Sequence, residues 1–600
     1  MPIWIFFGGK LSYSNALIQK LFGALKSYPI WFWGVLSIAL LHRVFAIGHY
    51  GKHAFSRTYA TGGIPNALRM WMEFYGESTL LGVTYDVVFS AIVAVPLVFM
   101  PLWLSLSALF CLSIFFAANF DHIKFNHDNI NFSTANVGAD FTFIKGMINQ
   151  ELILTSIALF AFGMAFVLTQ RKRFARRFLT TGTILAIPIA LMAPLKGSFV
   201  NPLWLQSNPF LGSPLRASAE NANREFSAEA LLPKSITMET VPKYNVLLVY
   251  MEGLSQHSIQ IGDMEFLKSL AQENVSFTRY VGHQLITANG LYGSLTGDFP
   301  YLARRGFKWS STDADSEAML AALPNVLRAQ GYETSFLQSA LLSFMSKGEV
   351  MPRFGFDTVM GRNSWASYYS EDGWGIDDRA LFEHSIDYID TLSKDEKWFV
   401  SILTTGTHAL YNVPPDYLAN ETSDRYRSLR YLDDAIRGLM ISLEERGLLK
   451  NTIVVFTSDE SRERSFSGQL QNQLALNWLP LIVIHPSGAH ATYDKYVGAT
   501  QFPDLLVDFH TDELEEYLRT LKTDDRPVVF GNIFSRRLFW YDTEEKFLLA
   551  CVTTSFVCAE YTDVADPFTM SDQQPDSVQS YPKLQSLITR ADRNQLGDLD

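Results

Sequence analysis

The sequence predicts a chain in two parts: a bundle of five transmembrane helices, then a doubly wound α/β domain. Three observations predict it. The chain has 600 residues, more than one hydrophobic core usually supports. Up to about Gly197 long apolar runs dominate, whereas from about Ser218 charged and apolar residues interleave as in a water-facing domain. Within that second part, short β-rich runs alternate with helical patterns, the mark of a parallel sheet with crossover helices.

A membrane span needs roughly 20 apolar residues, and the number of spans decides which side receives the second part. Three spans read directly, over 30–48, 152–169 and 178–195. Between Val87 and Asn119 lies an uncharged stretch too long for one crossing, interrupted by Pro96 and Pro101. Divided there, it gives spans over 80–100 and 102–118, and the total is five. The densest basic cluster of the first part, Arg171, Lys172, Arg173, Arg176 and Arg177, falls between the last two spans. Five spans with a cytoplasmic N-terminus carrying Lys10, Lys20 and Lys26 keep that cluster inside and send the second part outside. The N-terminus lacks the pattern of a cleavable signal peptide, so the first span is expected to act as an uncleaved anchor. His42 and Arg43 lie inside that first span, where ionisable groups are functional suspects or else snorkel to the interface.

The formal net charge of -12 argues against a nucleic-acid partner, which would need clustered Lys and Arg. Of three cysteines, Cys111 sits in a span, while Cys551 and Cys558 form either one disulfide or two buried thiols on neighbouring strands.

In the second part the expected strands are 245–251, 333–338, 398–404, 452–458 and 479–485, and the expected helices 265–273, 317–330, 377–392 and 424–446. The expected boundaries are 1–197 for the membrane part, 198–243 for a linker that wraps the domain, 244–565 for the α/β domain and 566–600 for a polar, poorly ordered tail.

Open α/β sheets bind ligands beyond the carboxyl ends of their strands, so the residues that follow each strand matter most. The first strand runs into Glu252, the fourth into the pair Asp459 and Glu460, and the third into Thr405, Thr407 and His408. Carboxylates gathered beside an imidazole suit one divalent cation, with hard oxygens favouring Mg or Mn and the histidine admitting Zn. Singly, Glu252 also reads as a helix cap and Asp459 as a turn residue.

These segments resemble the membrane phosphoglycerol transferases and lipoteichoic acid synthases of the sulfatase/alkaline phosphatase superfamily. The resemblance rests on VLLVYMEGLS at 246–255, TANG at 287–290, RFGFD ending at Asp357, TTGTH at 404–408, Tyr431-Leu-Asp433 and VVFTSDE at 454–460. It implies an alkaline phosphatase-like catalytic domain in which Glu252 and Asp459 ligate the metal and Thr287 is nucleophile and ligand. A helix N-cap is the other reading of Thr287. It further implies that His408 binds the substrate phosphate or assists proton transfer. The chain departs from the family at Glu460, where histidine is usual. A head-group cradle of histidine, tryptophan and arginine is replaced by Gln338, Met345 and Lys347, with Arg353 nearby as compensation.

The resemblance thus implies a metal-dependent transferase in a bacterial inner membrane, its second part extracytoplasmic. It would move phosphoglycerol from phosphatidylglycerol to a glycan or polymer hydroxyl through a phospho-threonine. The alternatives are a phosphoethanolamine transferase and a non-catalytic lipid-binding sensor on the same scaffold.

Overall fold

The structure is a computed structural model that describes residues 28, 30–49, 79–126, 129, 150–169, 221–232, 236, 242–302, 317–392, 397–408, 411–461, 470, 474–522, 526–532, 537–553, 556–570 and 575–593. The chain divides into two units, the second taking up the sequence from Ser218.

Among the described residues of the first unit, three helices are long and apolar enough to cross a membrane: Ile30–His49, Thr79–Phe99 and Leu102–Phe120, the last continuing to Asn126. The expected break in the long apolar stretch falls at Met100 and Pro101, because proline cannot supply the amide that a continuous helix needs there. A fourth helix, Gln150–Thr169, holds a shorter apolar stretch. The fifth expected span at 178–195 and the basic cluster at 171–177 lie outside the described residues. Phe32, Val35, Phe89, Leu109, Phe116 and Leu159 form the core, while Ile92, Phe99, Trp103 and Leu154 face outward, as helices surrounded by lipid would arrange them. The first and fourth helices meet at small residues: a Cβ on Gly163 would stand 2.8 Å from Ile38 and 3.3 Å from the carbonyl oxygen of Gly34.

Arg43 does not snorkel. Its guanidinium grips Asp86 with two bonds, Nε to Oδ2 at 2.6 Å and Nη2 to Oδ1 at 3.0 Å, and also donates to the Gly82 carbonyl at 3.0 Å. His42 pairs through Nε2 with Asn119, whose amide donates to Asn129 at 2.8 Å. Three helices are thereby tied by polar side chains that are all buried. Removing one partner of a buried ion pair strands the other's charge, at a cost of roughly 3–5 kcal/mol. Arg43→Ala is therefore expected to lower the denaturation midpoint of the detergent-solubilised chain markedly, and an Arg43→Met, Asp86→Leu double variant to recover most of it. An unchanged midpoint for the single variant would refute the pairing.

The second unit is built on a nine-stranded sheet. Its strands are β1 (Asn245–Tyr250), β2 (Val275–Val281), β3 (Tyr332–Gln338), β4 (Thr358–Met360), β5 (Lys397–Leu403), β6 (Thr452–Thr457), β7 (Trp478–Leu479), β8 (Leu481–Ile484) and β9 (Ala491–Gly498). The order is β4-β3-β5-β1-β6-β8-β2-β7, with β9 also paired to β2. From β4 to β6 all neighbours are parallel, whereas β8 runs antiparallel to β6 and β2. β1 is central and wholly buried because helices cover both faces, which is why NVLLVY is apolar almost without interruption.

All five expected strands are present, the last divided by Pro480 into β7 and β8. The expected helix at 317–330 is two pieces, Glu317–Leu320 and Leu323–Ala329: Ala322 is extended, and Pro324 in the first turn of the second piece lacks the amide that a continuous helix would need there. Asp433, in the long helix Asp424–Glu445, accepts the amides of Phe266 and Leu267 at 3.0 and 2.8 Å and so caps the helix Glu265–Glu273, whose own Met264 offers no cap.

A second, antiparallel sheet follows: β10 (Val528–Asn532), β11 (Arg537–Asp542), β12 (Phe547–Val552), β13 (Val557–Tyr561) and β14 (Ser577–Ser580). Cys551 and Cys558 stand opposite one another on β12 and β13 and are joined as a disulfide. The expected disordered tail is corrected here, since β14 completes this sheet and the helix Pro582–Ala591 buries Leu584, Leu587 and Ile588. The expected linker contributes too: Ala230 and Leu231 belong to the same apolar cluster, and Asn221 bridges to Ser580.

Candidate active site

β5, β1 and β6 lie side by side, so the segments that leave their carboxyl ends converge. Two residues beyond β1 stands Glu252, 4% exposed. Its amide donates to the Thr404 hydroxyl at 3.0 Å, and the Thr407 hydroxyl donates to its carbonyl, so the loop after β5 fixes its backbone from one side. Asp459, two residues beyond β6, holds the other side by accepting the Gly253 amide at 3.4 Å. Neither acid serves as a helix cap: the next helix is capped by Ser255.

Thr287 opens the helix Thr287–Thr296 but does not cap it, which corrects the N-cap reading. The capping position is Ile286, with no side-chain bond, and the Thr287 hydroxyl instead donates toward both oxygens of Glu252 at 3.3 and 3.5 Å. Ile286 has φ +90°, a conformation hostile to a β-branched residue and costing on the order of 1–3 kcal/mol. Glu460 helps to hold it there, accepting the Ile286 amide through Oε2 at 2.7 Å. The strained turn aims a hydroxyl at the carboxylates from the amide-rich end of a helix.

The second sheet braces this turn. Gly531 of β10 donates its amide to the His283 carbonyl at 2.9 Å, His283 Nδ1 meets the Val529 carbonyl, and one Asn477 amide donates to both Gly282 and Gly531 carbonyls at 2.8 and 2.9 Å.

Glu252, His408 and Glu460 offer ligand atoms that lie within 4.8 Å of one another. Asp459 adds a buried Oδ2 that has no hydrogen-bond partner. Burial and the charge of Glu460 push the Asp459 carboxyl pKa up. Lys347 is a buried cation acting on this cluster; burial lowers its pKa while Glu252 and Asp459 oppose that fall. One ammonium against three buried carboxylates leaves negative charge that a divalent cation would offset, and hard carboxylate oxygens are a fitting donor set. Glu252, Asp459 and Glu460 would hold it, with the Thr287 hydroxyl beside Glu252 and the His408 imidazole close enough to move a proton.

The other expected substrate residues divide. Gln338 is buried at the end of β3, yet its amide donates to the carbonyls of Ala340 and Leu341, both at 3.2 Å, so it ties its own turn. Met345 is buried at φ +55° and Ser346 follows at +51°, a strained pair that launches the helix Lys347–Phe354 with Lys347 first. Arg353 is in the last turn of that helix, about 9 Å further along its axis than Lys347, and its carbonyl accepts the Asn325 amide at 3.1 Å.

Sequence reasoning missed Trp374. The ring lies tilted against His408 with centroids 4.1 Å apart and planes at 51°, and meets Phe344 edge-on at 5.3 Å. It sits in a strap turned by Asp372, which accepts the amides of Trp374 and Gly375. A Cβ on Gly375 would stand 2.2 Å from the Ser339 carbonyl oxygen, so the strap is pressed against the chain leaving β3. No motif marks this residue, and only the strap's path discloses it.

Asp378 sets the loop that carries His408: its Oδ1 accepts the amides of Thr405 and Gly406 at 3.1 and 2.9 Å. Burial pushes its carboxyl up to about 7, against the lowering effect of those amides. A folded-state pKa above the unfolded one makes the native state bind the proton more tightly, so stability falls as pH rises from about 4 to about 7. Asp378→Asn keeps an acceptor oxygen and removes the charge. It is expected to flatten that fall, worth up to about 4 kcal/mol, in melting curves taken across this range. An equally steep fall in the variant would assign the effect elsewhere.

A strained turn thus holds the Thr287 hydroxyl over clustered carboxylates at the carboxyl edge of a parallel sheet. Residues 244–509 match the Sulfatase family model, so the α/β domain is sulfatase-like. It is similar to Inner membrane protein YejM of Salmonella typhi, 25% identical over 252 residues, 39% of this chain and 37% of that protein. Lipoteichoic acid synthase 1 of Bacillus subtilis is 21% identical over 150 residues, 23% of each chain. Phosphoglycerol transferase I of Xanthomonas axonopodis pv. citri is 26% identical over 153 residues, 23% of this chain and 21% of that protein. The chain thus matches at most 37% of the length of these relatives.

Proposed function

We propose that the chain is a five-span protein of a bacterial inner membrane whose extracytoplasmic domain transfers phosphoglycerol from phosphatidylglycerol to a glycan or polymer hydroxyl. The observation that carries this is the Thr287 hydroxyl, set on a strained turn at a helix N-terminus and directed at Glu252. Relatives named as a phosphoglycerol transferase and a lipoteichoic acid synthase support the chemistry, and the apolar helices support the membrane setting.

A divalent cation, Mn or Mg before Zn, would screen the phosphoryl charge and favour the threonine alkoxide. In the first displacement Thr287 Oγ1 attacks phosphorus and passes its proton toward Glu252. The bond from phosphorus to the diacylglycerol oxygen breaks, and His408 supplies the proton that diacylglycerol takes away. Lys347 steadies the head-group phosphate. In the second, an acceptor hydroxyl attacks the phosphorus of the phospho-threonine and gives its proton to His408, the bond from phosphorus to Thr287 Oγ1 breaks, and Thr287 Oγ1 takes back the proton held by Glu252.

The test uses the full-length chain in detergent: metal content is measured together with diacylglycerol release from phosphatidylglycerol. One bound divalent ion and Thr287-dependent release are expected. Absence of both would leave the non-catalytic lipid-binding reading.

A further inference from the structure

Beside the carboxylates runs a row of half-buried rings that the catalytic scheme does not use as a surface. Phe344, Trp374 and His408 are each partly exposed and touch in sequence, Phe344 to Trp374 at 5.3 Å and Trp374 to His408 at 4.1 Å. They come from three separate segments: the strained turn before Lys347, the Asp372 strap and the loop after β5. Both strained and pressed segments serve to place a ring, Phe344 next to two residues of positive φ and Trp374 next to a glycine whose Cβ would collide with Ser339.

Building on the proposed transfer, we propose that this row, with Trp374 at its centre, is the acceptor platform and that it takes the neutral pyranose ring of a glycan. The charges around the row select among acceptors. An aminated ligand is disfavoured because the Lys347 ammonium already lies over the Phe344 ring, 5.3 Å from its centroid, and repels a second cation. One divalent cation with Lys347 no more than balances the three buried carboxylates, so the phosphate carried on Thr287 and a chain of net charge -12 disfavour a polyanionic acceptor such as a glycerol-phosphate polymer. A neutral sugar is penalised by neither. Its face of C–H bonds complements an aromatic plane, whose electron-rich face attracts partial positive charge. Its hydroxyls, projecting from the ring edge, would then lie beside His408 and the carboxylate cluster, where the second displacement needs one.

Binding is measured, without turnover, on the full-length chain in detergent by titration calorimetry with a neutral gluco-oligosaccharide, and separately with poly(glycerol phosphate). The oligosaccharide is expected to bind, with affinity reduced about tenfold or more by Trp374→Ala, largely kept by Trp374→Phe, and the melting temperature held in both. Poly(glycerol phosphate) is expected to bind more weakly than the oligosaccharide. Oligosaccharide binding indifferent to Trp374→Ala, or tighter binding of the polyanion, would overturn the platform. A chain that binds oligosaccharide through Trp374 yet releases no diacylglycerol would uphold the platform and sink the transferase.

Discussion

Thr287→Ala is expected to abolish head-group transfer, lowering the rate on the order of 10⁴-fold or more, since loss of a covalent nucleophile removes the whole two-step route. Diacylglycerol release and a mass shift on the Thr287 peptide report the two halves. The wild type should show a phosphoglycerol adduct when acceptor is withheld, and the variant none. Thr287→Ser should retain much of the rate, because the hydroxyl still starts from the helix N-terminus beside Glu252. The fold should tolerate the alanine, as Thr287 caps nothing and its hydroxyl is directed only at Glu252 among the bonds described. Transfer by Thr287→Ala at the wild-type rate would remove the nucleophile from the scheme.

The second large effect belongs to Gly290. Helix propensity alone would reward Gly290→Ala by up to about 1 kcal/mol. Here, however, a Cβ would stand 1.9 Å from the Asp459 carbonyl oxygen and 2.6 Å from its carbon, backbone atoms that cannot rotate away. The helix or the Asp459 loop must retreat, and Thr287 lies one turn upstream on that helix. A loss of about 3 kcal/mol or more is expected, with a further fall of about 100-fold in rate from misplacement of the hydroxyl near 1 Å. Melting temperature and diacylglycerol release measure the two. A variant as stable as the parent would show that helix and loop do not meet so closely.

Much of this site is legible in the sequence for a simple reason. Strands buried on both faces are written as apolar runs, and the residues just after them are the ones that face the crevice; Glu252, His408, Asp459 and Glu460 all follow that rule. Where the rule fails, the physics differs. β9 reads ATYDKYVG with charges on its exposed positions, so no apolar run announces it. The second sheet breaks the strand–helix alternation that organises the first, and the segment after Asp566 hides three apolar anchors among polar neighbours at helical spacing. Gln338 was expected from the family resemblance, whereas turn geometry sends its amide to the carbonyls of Ala340 and Leu341. Trp374 depends on a strap whose course is set by contacts with β3, a tertiary fact with no local signature.

The bridge from Asn221 and Ala222 to Ser580 has a kinetic consequence. The strand that receives the segment entering this unit is synthesised roughly 360 residues later, so at ~5–20 residues per second the partner is missing for tens of seconds. If the unit folds as it emerges, its opening segment must wait unpaired while the large sheet forms, and the pairing is a closure of high contact order. The seam between first and last segments is thus expected to form late in folding and to open early under force or heat.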